Sequence, residues 1–273
     1  MKLLYYFNNL FTNTWQTANN ESFEYQSNNR DSYIDKSTIF IFVYIAFGLS
    51  VVKYYGNPNT ILTLINSFSK NEVSEYLKRL FIYSDNAEFN QRLWWIGSIV
   101  LFYLIIPMLI VKFGFKKNLK DFGFSFRNVH NDYPLYLIML AIMLPIVYFA
   151  SQTQSFQLRY PIFQPTKTGL LPIFIYWQIA YFIQFVAVEF FFRGFIIHGL
   201  KNRFGFYAIF ISCIPYCMVH FGKPFGETIA AIVAGIILGT LSMKSRSIVL
   251  GILIHYSVAI TMDLFALYRE GIL

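Results

Sequence analysis

Seven stretches of the chain are apolar over a length that suits a membrane-crossing helix: about 38–55, 93–112, 134–151, 170–198, 205–221, 227–243 and 247–268. A helical span needs roughly 20 apolar residues, so the first, third, fifth and sixth are short. The fourth is long and must tilt, or break near Gly194. Residues 60–92 contain SFSKNEVSEYLKRLF, with apolar positions at helical spacing, and read as an interfacial segment. Residues 112–133 form a basic, Gly-punctuated loop, and residues 1–37 are polar and read as a tail or short surface segment. The pattern predicts an all-α polytopic transmembrane bundle of about seven spans, seven or eight, with a polar intramembrane cavity. Its expected divisions are a tail at 1–37, N-terminal transmembrane helices at 38–168 and a core at 169–268.

Composition supports a bilayer. Of 273 residues, 56% are hydrophobic, 20% aromatic and only 13% charged, against about 25% charged in soluble domains. The net charge of +8 fits basic loops facing anionic lipid, and there is no basic stripe of the kind that binds nucleic acid. A small excess of Lys and Arg on alternate loops places the N-terminus inside. The polar N-terminus lacks the apolar core of a cleavable signal peptide. The chain is thus expected to be an integral multi-pass protein of the cell (inner) membrane. The absence of an internal repeat argues against an inverted-repeat transporter.

Against this apolar background Glu189, Arg193, His220 and His255 stand out. A charge at the bilayer centre costs about 2.5–3.5 kcal/mol on insertion scales, so ionisable groups at that depth mark a functional site by default. Glu189 and Arg193, four apart, share a helix face. They are either a buried ion pair or a base held ionised and oriented by its cation, and the two readings are compatible. His220 ends span five ahead of Pro224. Asp263 lies eight residues beyond His255 on the same helical face, and Glu227 opens span six, where a carboxylate caps the helix or points into the cavity of His220. No HExxH, GxSxG or phosphate loop is present. Cys213 and Cys217 read as buried fillers, and with His220 they match structural zinc spacing poorly. No metal or other cofactor is expected. Straight spans would put Glu189 on the inner side of span four and His220 at the outer end of span five. A shared site therefore requires span five to be tilted or displaced, with Pro215 kinking it, or its ends to fall elsewhere.

The strings VEFFFRG, PYCMVHFGKP and LIHYSVAITMD, in that order, resemble the CPBP group of intramembrane proteases (CAAX protease/Abi, Rce1-like) over roughly 170–268, and NLKDFGF at 118–124 is similar to a loop common upstream in that group. The group's pattern is EExxxR, FxxxH and HxxxN or HxxxD. Glu189 and Arg193 match the second Glu and the Arg, His220 the second motif and His255 the third. Val188 stands where the group carries its water-activating Glu, Tyr216 replaces Phe, and Ala259 replaces the Asn or Asp. Successive helical residues point about 100° apart, so Glu189 does not occupy the place of Val188. Asp263 is two turns beyond His255, too far along to replace Ala259 without a shift.

The resemblance implies hydrolysis of a peptide bond in a membrane-anchored peptide or lipidated protein. Glu189 or Glu227 would be the base, His220 base or orienter, and His255 the oxyanion donor, with Arg193 and Asp263 in support. The alternative is a catalytically impaired pseudoprotease acting as a membrane scaffold or immunity-type binding protein. A third class is a proton path through Glu189, His220 and Asp263. Small-residue faces such as Gly235–Gly239 serve packing within the chain or a homodimer alike.

Overall fold

A computed structural model describes residues 2–29, 35–68, 72–126, 129–165 and 170–273. The expected domain boundary at 168/169 lies outside them, as do 69–71 of the interfacial segment and Arg127 of the basic loop. The described residues are helical with no strand. In chain order the helices are α1 (Lys2–Asn28), α2 (Lys36–Tyr55), α3 (Pro58–Phe68), α4 (Glu72–Lys78), α5 (Ala87–Gly114), α6 (Val129–Ser151), α7 (Gln154–Gln157), α8 (Leu171–Phe204), α9 (Tyr207–Met218), α10 (Phe225–Ser245) and α11 (Val249–Arg269). Among the described residues six are long and apolar enough to cross a bilayer: α2, α5, most of α6, α8, α10 and α11. The protein is a polytopic membrane helical bundle.

Two segments differ from the sequence reading. The fifth predicted span is the 12-residue helix α9, about 18 Å long at 1.5 Å per residue, well short of the roughly 30 Å hydrocarbon core. The polar N-terminus is a 27-residue helix. Its buried residues Leu10, Thr14, Ala18 and Ser22 recur every fourth position and form one narrow stripe.

By internal packing the chain divides into two units. The first comprises residues 1–46, 107–141 and 189–254. At its centre α8, α-helical as far as Glu189, continues without a break as a π-helix over Phe190–His198, nine residues that are all buried. The expected break near Gly194 is thus a change of winding. π-helical stretches are rare and cluster at functional sites. Gly194 is needed there because a Cβ would come within 2.7 Å of the Phe122 carbonyl oxygen. Gly123, at φ +80°, turns the NLKDFGF loop so that its carbonyl accepts from Ile248 N at 2.9 Å. α9 and α10 pack through small residues: Gly235 lies against Cys213 and Tyr216, and Gly239 against Ile209 and Ile197. This small-residue face is therefore occupied within the chain. The Cys213 and Cys217 thiols face the Ile232 and Thr228 carbonyls of α10 at 3.5 and 3.8 Å. α1 is fastened by Trp15 Nε1, which donates to Thr240 Oγ1 at 3.1 Å while its ring stacks on Phe206. Ser22 Oγ donates to the Asn202 carbonyl at 3.0 Å.

The second unit comprises residues 47–106, 142–188 and 255–273. Its core is aromatic: Phe156, Tyr160, Phe163, Trp177, Tyr181 and Phe185 close around Ala259 and Ala266. Trp177 and Tyr181 stack with centroids 5.0 Å apart.

Candidate functional site

Glu189 is the last α-helical residue before the π-stretch of α8, and Arg193 stands one turn on. Their side chains form an ion pair at 3.1 Å and are almost wholly enclosed, at 0% and 2% exposure. The Arg193 guanidinium lies over the Tyr216 ring of α9 at 4.0 Å, an arrangement that favours a cation shielded from water. Tyr216 in turn meets Phe192 edge-on, and its ring centroid is 4.8 Å from that of His220. A continuous chain of contacts thus runs from Glu189 through Arg193 and Tyr216 to His220.

His220 is buried in the turn that follows α9. Its Nδ1 faces the Tyr216 carbonyl at 2.8 Å. A carbonyl only accepts, so Nδ1 carries the proton, and a neutral His220 keeps its lone pair on Nε2. The backbone of His220 is fixed as well. Its N–H donates to the Cys217 carbonyl at 2.9 Å, and its carbonyl accepts from Thr228 Oγ1 at 3.0 Å. The imidazole is held in one tautomer and one place, as a general base or metal ligand requires.

The register of α8 and α9 explains how Arg193 and Tyr216 can link these groups. The two helices are joined at the turn around Gly205, which has φ +55°. Glu189 lies fifteen residues before Phe204, at most about 22 Å at the α-helical rise of 1.5 Å per residue, and less over the more tightly rising π-stretch. His220 lies two residues beyond the end of α9, which is about 18 Å long. Counted from the same turn, both residues reach a similar depth. The separation expected from straight spans is shortened because span five ends early.

Gly251 of α11 completes the surroundings of the carboxylate. A Cβ there would sit 2.8 Å from Glu189 Oε2, so any side chain at this position would have to displace the carboxylate. The residue sits inside the Gly-rich string that leads to His255, but apolar patterning gives it no distinction from its neighbours.

The remaining expected residues have other surroundings. Glu227 lies in the first turn of α10 and pairs with Lys223 at 2.7 Å, both partly exposed. In the second unit, Asp263 is buried and accepts from Ile162 N at 3.2 Å, Trp177 Nε1 at 3.2 Å and Gln178 Nε2 at 3.3 Å. His255, half-buried in the same unit, has its ring 4.5 Å from that of Phe185. Ala259, one turn beyond it, is packed in the aromatic core. Val188 is half-buried. Among the described residues no three His, Cys, Asp or Glu side chains converge as a metal site would need.

Residues 170–261 match the family model of the type II CAAX prenyl endopeptidases, Rce1-like. The matched segment contains Glu189, Arg193, His220, Glu227 and His255, and stops short of Asp263. No curated protein and no solved structure matches the chain.

Proposed function

We propose that this chain is an intramembrane endopeptidase of the CAAX-processing type, with His220 as the base that activates water. The observation that carries the reading is the His220 Nδ1 contact with the Tyr216 carbonyl at 2.8 Å, which leaves Nε2 as the proton acceptor. Glu189 is engaged in an ion pair with Arg193, so it is assigned a charge-supplying role beside the site rather than that of the base. Glu227 is committed to Lys223.

In the proposed reaction His220 Nε2 removes a proton from water, and the hydroxide adds to the peptide carbonyl carbon. The tetrahedral oxyanion then needs a hydrogen-bond donor, the role that the sequence resemblance gives to His255. The imidazolium of His220 then protonates the amide nitrogen as the C–N bond breaks, releasing an acid and an amine. Arg193 and Tyr216 position the base, and Asp263 anchors α11 through its three donors. The substrate class is a membrane-anchored peptide or lipidated protein, and the setting is the cell (inner) membrane.

Val188 and the packed Ala259 favour a second reading, a pseudoprotease that binds such a tail without cutting it. One experiment separates the two: purified protein in lipid is offered a mixed library of membrane-anchored and prenylated fluorogenic peptides, wild type beside His220→Ala and Val188→Glu. Cleavage by wild type that His220→Ala abolishes supports the protease. Cleavage gained only in Val188→Glu supports a pseudoprotease on an intact scaffold. Silence from all three overturns the hydrolase and leaves binding or transport.

A further inference from the structure

A cleft of about 400 Å³ in the first unit, lined by neither Glu189 nor His220, lies between α1 and the C-terminal end of α10. That volume suits a small-molecule site. Its wall is built from two kinds of group. Asn9, Asn13, Thr14 and Thr17 of α1 offer amides and hydroxyls, while Lys201, Lys244 and Arg246 offer cations. Glu21 is the one carboxylate among its lining residues, and it already pairs with Arg246 at 2.7 Å. Lys244 is matched by Asp132 at 2.5 Å. Lys201 is half-buried and has no carboxylate within 4 Å among the described residues. The lining therefore carries a surplus of positive charge, beside side chains able to donate several hydrogen bonds.

The position is also informative. Lys201 is in the last turn of α8, and Lys244 and Arg246 end α10. Two membrane helices thus finish at the cleft, and α1 lies beside it with Trp15 stacked on Phe206. Tryptophan favours the headgroup level of a bilayer. Leu10, Ala18 and Met243 give the cleft an apolar wall next to the cations. This combination suits the polar end of a lipid better than a fully hydrated ion.

We propose that this cleft binds a phosphate group, with the headgroup of an anionic phospholipid as its source. Lys201 is the primary contact, and Arg246 and the amides and hydroxyls of α1 complete the shell. The site is independent of the hydrolytic reading, since it shares no residue with the Glu189–His220 chain.

The test uses the full chain in zwitterionic nanodiscs, titrated separately with short-chain phosphatidylglycerol and with inorganic phosphate. Thermal unfolding and native mass spectrometry are the readouts. Phosphatidylglycerol is expected to raise the unfolding midpoint saturably and to remain as a bound adduct. Lys201→Gln should weaken apparent affinity about five-fold, and Lys201→Gln with Arg246→Gln roughly 25-fold. Asn13→Ala, which changes no charge, should weaken it as well. Arg203→Gln removes an exposed cation at the same end that does not line the cleft, and it should have no effect. Midpoints without added probe show whether each variant keeps its fold. Equal, saturable protection by inorganic phosphate supports the phosphate site with a soluble source. Failure of both probes to saturate overturns the proposal. So does a pattern in which Arg203→Gln weakens binding as much as Lys201→Gln while Asn13→Ala is silent, since that is diffuse surface attraction.

Discussion

Replacing Arg193 with Met tests whether the buried ion pair is the centre of the first unit. The substitution keeps an unbranched side chain in the space but removes the cation that lies 3.1 Å from Glu189 and 4.0 Å from the Tyr216 ring. Removing one partner of a buried pair costs about 3–5 kcal/mol, because the other charge keeps its desolvation penalty. Replacing both partners with apolar residues of similar volume is often neutral or stabilising by about 1–4 kcal/mol. Glu189→Met with Arg193→Met should therefore recover most of the stability that Arg193→Met loses, a coupling of several kcal/mol in the double-mutant cycle. The assay is reversible unfolding in mixed micelles, followed by helical circular dichroism across wild type, both single variants and the double. Losses under about 1 kcal/mol in Arg193→Met, or a double variant no more stable than that single one, would refute the reasoning. The cycle also isolates function. A double variant that is as stable as wild type yet cleaves nothing would assign the pair to chemistry, whereas one that still cleaves would make it a structural device.

Three further outcomes follow from single contacts. Gly251→Ala places a methyl 2.8 Å from Glu189 Oε2, and overpacking of this kind costs about 1–3 kcal/mol; a thermal midpoint equal to wild type would show that α11 shifts freely there. Asp263→Ala leaves the Ile162, Trp177 and Gln178 donors without their acceptor, at about 1–3 kcal/mol for each buried group left unsatisfied; lower stability with altered indole fluorescence is expected, and an unchanged midpoint counts against it. Asp35 caps α2, accepting from the backbone and hydroxyl groups of Ser37 and Thr38. Burial pushes its carboxyl up, but these hydrogen bonds outweigh burial and hold it below the usual carboxylate value. The cap therefore stabilises above the ordinary carboxylate range and fades as pH falls through the lowered value. Asp35→Ala should cost about 1 kcal/mol near neutral pH, and stability measured against pH should show the gap closing in acid.

The apolar pattern made the spanning helices readable because each buries apolar surface on every side, in lipid or in protein. It could not announce α1. The buried stripe of that helix is Leu10, Thr14, Ala18 and Ser22, half of it polar, and its fastening comes from hydrogen bonds to Thr240 and Asn202. Helical periodicity is detected through apolar residues, so a helix held by hydroxyls and small side chains looks like a tail. Gly251 was hidden for a related reason. Its importance lies in what a Cβ would strike, and that is a property of a neighbouring helix rather than of its own sequence.

The residues of the candidate site were legible one by one, and the chain of contacts from Glu189 through Arg193 and Tyr216 to His220 was not. Each was conspicuous as a charge or imidazole in an apolar run. Whether Glu189 and His220 approach each other depends on where α9 stops, and the hydrophobicity of 205–221 continues past that point. Pro215 does not end the helix by itself, since the Val219 N–H still reaches the Pro215 carbonyl at 3.2 Å. The stop comes after Met218, where the His220 and Phe221 amides turn back to Cys217 and Met218. The His220 carbonyl is then claimed by Thr228 of the next helix. Thr228 thus shares with the Tyr216 and Cys217 carbonyls in fixing the place of the imidazole. Thr228→Val keeps the side-chain volume and removes that one bond, which should loosen His220 while leaving Glu189–Arg193 in place. If His220 is the base, the variant lowers turnover and leaves the unfolding free energy within about 1 kcal/mol of wild type, the worth of a single neutral hydrogen bond. Turnover equal to wild type would mean that the position of His220 does not limit the reaction.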